Sequence, residues 1–256
     1  MESLLRRERL IVCGCLLAIV VLSWLYLLHL KAAMDMSGMN MPGMVMLDTQ
    51  EWTATTVLLL FVMWAVMMVA MMVPSATPMI LAFLTVNQSR SAANRRLVPV
   101  SIFLLGYLAI WTAYSAVATL AEWGLHQATL LSTAMAATSP ALNGGLLIAA
   151  GVFQLTPLKR ACLKGCRSPL TFLMSEWRDG PAGAFIMGVR HGTYCLGCCW
   201  ILMALLFVAG VMNLFWVALI ALLVMAEKVL AKGEVLGQIA GLALVTAGVV
   251  LVIKPW

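Results

Sequence analysis

Charge is what this chain has least of. Only 10% of its 256 residues are Asp, Glu, Lys or Arg, against about 25% in a soluble domain. That scarcity excludes an ordinary soluble enzyme. No ATP-binding motif is visible, so no energy source is written into the sequence. No internal repeat is visible either, which argues against the inverted repeats of many secondary transporters. The seven cysteines are an odd number, and most lie in or beside apolar runs rather than in a disulfide-stapled framework. The net charge of +6 is no nucleic-acid signal, because basic residues in membrane proteins gather in cytoplasmic loops and set topology. No nucleic-acid partner is expected.

What is abundant is apolar surface, 63% of residues. The reading is an all-α, polytopic transmembrane helix bundle in the bacterial inner membrane, with the lipid bilayer as its main partner and residues 1–256 as a single membrane domain. Spans of about 20 apolar residues are expected near 10–30, 53–73, 99–121, 142–157, 183–210, 212–229 and 237–253. The count is six to seven. The first run follows Arg6, Arg7 and Arg9 and is longer than the 7–15 residues of a signal-peptide core, so it reads as a retained helix. Gly188, Gly192 and Gly197 are expected to break the fifth span into a half-helix or re-entrant piece. Lys and Arg fall alternately after the even spans, which places the N-terminus inside. Residues 31–52 then form an outer loop and 158–181 a basic inner loop.

Soft ligands are concentrated in three places. The outer loop carries Met34, Met36, Met39, Met41, Met44 and Met46 among small and polar residues. A loop this polar has no lipid face to fill, and thioether is a soft, neutral ligand that favours Cu(I). The second span carries Met68, Met71, Met72 and Met79 on overlapping faces beside Pro74 and Pro78, which suits core packing around a kink or a methionine path. In the inner loop, Cys162 and Cys166 lie four apart among cations, where thiols are activated. Two thiols alone are too few for a structural zinc site.

The densest cluster is Arg190-His191-Gly192-Thr193-Tyr194-Cys195-Leu196-Gly197-Cys198-Cys199-Trp200. Ionisable groups at membrane depth mark functional sites. On a helix, His191, Cys195, Cys198 and Cys199 fall at spacings of three and four and share one stripe, as metal ligands must. Arg190 lies about 100° off that stripe and is expected to pair with Glu227, the one acid in the sixth span, as an electrostatic brace.

These residues carry a resemblance. Met72-Val73-Pro74-Ser75-Ala76, Gln154 to Lys159 with Cys162 and Cys166, Gly188 to Trp200, Gly210 to Leu214 and Glu227-Lys228 resemble an uncharacterised bacterial family of predicted metal-binding integral membrane proteins (a domain of unknown function). The resemblance implies a metal-binding membrane fold over roughly 55–250. The reading from the residues is a soft-metal protein acting in metal transport, chaperoning or cuproenzyme assembly. Copper is the favoured ion, zinc or another metal stays open, and a further membrane or periplasmic subunit is a natural partner. Two alternatives stay open: a membrane metalloenzyme or thiol–disulfide oxidoreductase built on the same cluster, and a structural subunit of a larger complex.

Overall fold

A computed structural model describes residues 2–39, 53–91, 98–128 and 139–253. All regular structure among them is helical: α1 (Glu2–Met39), α2 (Ala54–Ser91), α3 (Val100–Gln127), α4 (Pro140–Leu155), α5 (Pro157–Arg167), α6 (Pro169–Glu176), α7 (Gly180–Ala204), α8 (Leu206–Ala209), α9 (Leu214–Val229) and α10 (Gly233–Ile253). Five helical stretches are long and apolar enough to cross a membrane, or six if the bent pair α4–α5 is one span. The seventh expected span is missing for a simple reason. α9 has 16 residues, about 24 Å at 1.5 Å per residue, short of a hydrocarbon core of about 30 Å. Many of the outward residues of α1 and α10 are bare aliphatics, such as Leu17, Leu22, Leu242 and Val250, as a lipid-facing surface requires.

Proline punctuates the middle of the chain. Thr156 ends α4, donating its hydroxyl to the Phe153 carbonyl at 2.7 Å, and starts α5 by accepting from the Lys159 amide at 3.3 Å. Pro157 follows at the first helical position, where its missing N–H costs nothing, and the chain turns by 64°. The expected basic inner loop 158–181 is therefore largely helical, as α5 and α6. The methionine-rich loop is also shorter than expected, since α1 continues through Met34, Met36 and Met39; Met41, Met44 and Met46 lie outside the described residues.

The fifth span is not broken by its glycines. α7 runs uninterrupted through Gly188, Gly192 and Gly197, and these residues bring neighbouring helices close instead. A Cβ on Gly188 would lie 2.0 Å from the Phe103 carbonyl oxygen of α3. Tyr114 of α3 reaches the Trp200 carbonyl farther along α7 at 3.1 Å, so the two helices run parallel in close backbone contact. Small residues at such crossings are how helices pack where lipid removes the hydrophobic drive. α4 and α10 meet in the same manner, antiparallel, through Gly144 against Gly248 and Gly151 against Gly241.

Candidate metal centre

The core of the bundle is built from α2, α3, α7 and α9. α2 continues through Pro74 and Pro78 and buries Met63, Met67, Met68, Met71, Met72 and Met79. α3 lays Phe103, Tyr107, Trp111, Ser115, Thr119 and Glu122 along one buried stripe. Tyr107 touches the Met72 carbonyl and, about four turns farther along α3, Glu122 accepts from Trp64 Nε1 at 2.6 Å. The helices are thus antiparallel, with Met67, Met68 and Met71 between these two contacts.

α7 presents the predicted stripe. His191, Cys195, Cys198 and Cys199 are all buried, as their spacing requires. They do not behave alike. The thiols of Cys198 and Cys199 donate back to the Cys195 carbonyl at 3.1 and 3.0 Å, one helical turn away. His191 lies against the rings of Phe103, Tyr107 and Phe172, and its Nδ1 is buried without a hydrogen-bond partner. Cys195 points its sulfur outward from the helix into a polar node. Sγ lies 2.9 Å from Lys228 Nζ of α9 and 3.1 Å from the Tyr107 hydroxyl. Lys228 also donates to Ser75 Oγ at 3.0 Å, and Ser75 and Tyr107 both donate to the Met72 carbonyl, at 2.9 and 3.2 Å. The contacts close a ring through four helices.

α5 brings further sulfur to this face. Cys166 sets its thiol against those of Cys195 and Cys198. Cys162, one turn earlier, is half-buried over Gly197, where an added Cβ would come 2.8 Å from its Sγ. The two thiols expected in an inner loop therefore adjoin the α7 cluster. Among the described residues no three His, Cys, Asp or Glu side chains are arranged to hold a metal ion. Two of the thiols are turned toward a carbonyl, and His191 is held in an aromatic stack. Cys13 and Cys15 stand apart on α1, half-buried and exposed.

The expected brace between Arg190 and Glu227 does not form. Arg190, off the buried stripe, pairs with Glu176 at the end of α6. Glu227 is buried on another side of the bundle, where Lys159 Nζ reaches both carboxylate oxygens at 2.8 and 2.7 Å. Gln154 Nε2 adds a third contact at 2.8 Å. Sequence reasoning missed Lys228, Lys159, Tyr107, Ser75 and Glu122. Lys228 carries a signal, an ammonium beside an acid in an apolar run, but a cation after an apolar run has the same form as a topology marker.

A family model described as PpoB2, copper chaperone, matches residues 61–251. The match takes in α2 from Phe61 through most of α10, with every cysteine except Cys13 and Cys15, and leaves out α1 and the methionine segment 34–46. No curated protein and no solved structure matches the chain.

Proposed function

The chain belongs to this copper-chaperone family, and on that premise we propose that it holds Cu(I) inside a multi-pass bundle of the bacterial inner membrane and hands it to a cuproprotein or its assembly partner. The N-terminus lies inside, so the methionine segment Met34 to Met46 faces outward and collects the ion. Cys195, Cys198 and Cys199 of α7 with Cys166 of α5 hold it, and His191 and Cys162 flank them. The methionines of α2 line the approach.

The observation that carries this reading is the meeting of thiols from two helices on one buried face beside a methionine-rich helix. Thiolate and thioether are the soft donors that Cu(I) prefers, and they make a poor site for magnesium or calcium. Ligation asks Cys198 and Cys199 to leave the Cys195 carbonyl, a change between ordinary side-chain rotamers. Such a loosely committed site suits an ion that must be released again.

The test is copper content. Protein purified in detergent under reducing conditions and loaded with Cu(I) should retain copper, and the triple variant Cys195→Ser, Cys198→Ser, Cys199→Ser should lose it. Unchanged copper stoichiometry in the triple variant would overturn the proposal.

A further inference from the structure

We propose that Lys228 fixes the charge of the ion this centre accepts, selecting a monovalent ion on two thiolates over a divalent one. The inference rests on the reading that the thiols hold a metal. It starts from an anomaly of pairing. Lys228 is only 8% exposed, and among the described residues its ammonium contacts Cys195 Sγ and Ser75 Oγ and no carboxylate. The acid beside it in sequence, Glu227, is committed to Lys159 and Gln154. Lys228 therefore leaves one positive charge against the sulfur site with no carboxylate beside it.

The charge count follows. Each thiol that ligates as thiolate gives up its proton, so Cu(I) on any two of the four thiols of this centre, the other two keeping their protons, is a complex of net charge −1. With the ammonium 2.9 Å from one of those sulfurs, the assembly is neutral. A divalent ion on the same two thiolates is neutral alone, and Lys228 then leaves a net +1. An uncompensated charge is expensive in a low-dielectric interior. Zinc could restore neutrality only by drawing in a third thiolate or by taking the proton from Lys228, and it also wants four ligands where Cu(I) is content with fewer. Ser75 and Tyr107 hold the ammonium and the sulfur in register, so Lys228 acts as a positioning and selectivity residue through Cys195.

The experiment compares Cu(I) and Zn(II) binding by the whole protein in detergent, each ion competed against a chelator of known affinity. Lys228→Leu removes the charge without adding a metal donor. Cu(I) affinity should fall about 10–100-fold, the range for partners that act through a metal ligand, while Zn(II) affinity holds or rises. Lys228→Arg should preserve the wild-type ratio. Ser75→Asp gives the ammonium a permanent carboxylate partner and should shift the ratio in the same direction as Lys228→Leu, so the test survives a failure of either variant to fold. If wild type binds Cu(I) and the ratio stays unchanged in Lys228→Leu or Ser75→Asp, the selectivity role is wrong and the copper site stands. If wild type binds no Cu(I), both readings fall.

Discussion

Two buried lysines contribute to neighbouring parts of the bundle, and their charges are balanced in different ways. Lys159 is locked to Glu227 by two hydrogen bonds, with Gln154 completing the acid's shell. Lys228, on the same turn of α9 as Glu227, contacts a hydroxyl and a sulfur instead. The first arrangement is permanent, since a carboxylate has no other role there. It ties the bent pair α4–α5 to α9. The second is conditional, because a sulfur that also ligates a metal changes its charge with occupancy. On the proposed reading, the difference separates a structural clamp from a metal-binding site only one residue away.

The clamp is where a single substitution should do most damage. Removing one partner of a buried ion pair costs about 3–5 kcal/mol, since the other charge is stranded. Glu227→Leu is therefore expected to lower the unfolding transition of the detergent-solubilised protein by that amount. Replacing both partners, Lys159→Met with Glu227→Leu, should recover most of the loss, because an apolar pair of similar volume serves as well. A single variant within about 1 kcal/mol of wild type would show that the pair is hydrated and that no real contrast with Lys228 exists.

Next in size is the crossing that aims the node. At Gly188 an added Cβ would meet the backbone oxygen of Phe103 at 2.0 Å, and backbone cannot swing aside as a flexible side chain does. Gly188→Ala should cost about 1–3 kcal/mol, the usual penalty for overpacking. It should also weaken copper retention, because α3 must withdraw and carry Tyr107 away from Cys195. Gly14→Ala is the control. Nothing lies within 4 Å of a Cβ there, so it should be neutral or stabilise by up to about 1 kcal/mol. Equal effects at the two glycines, read by thermal unfolding and copper content, would remove the argument for close α3–α7 packing.

Much of this was legible beforehand. The helical bundle follows from apolar runs, and the shared face of His191, Cys195, Cys198 and Cys199 follows from spacings of three and four. Neither depends on tertiary detail. What could not be read were partners. Lys159 and Lys228 looked like topology markers because they follow apolar runs, yet both point back into the bundle. Arg190 and Glu227 looked like natural partners because each was alone in its span. Glu176, 14 positions earlier and at the end of a helix hidden in an apparent loop, lies nearer to Arg190 in space. Pro157 concealed α5 in the same way, since a proline that opens a helix looks in sequence like one that ends it. Cys166 consequently seemed remote from the α7 thiols, although a 64° turn brings them together.

The smallest expected effect tests how far the sulfur depends on its other neighbour. Tyr107→Phe keeps the ring against His191, 5.6 Å between centroids, and deletes only the hydroxyl that touches Cys195 Sγ and the Met72 carbonyl. That carbonyl keeps its bond from Ser75, so no buried acceptor is orphaned. The loss should stay near the net value of one hydrogen bond, about 0.5–1.5 kcal/mol. Copper stoichiometry should be unchanged, and Cu(I) affinity should fall by no more than about tenfold, the equivalent of 1.4 kcal/mol. Chelator competition beside Lys228→Leu gives the comparison directly. An equal or larger loss in Tyr107→Phe would make the hydroxyl, rather than the ammonium, the group on which the sulfur site depends.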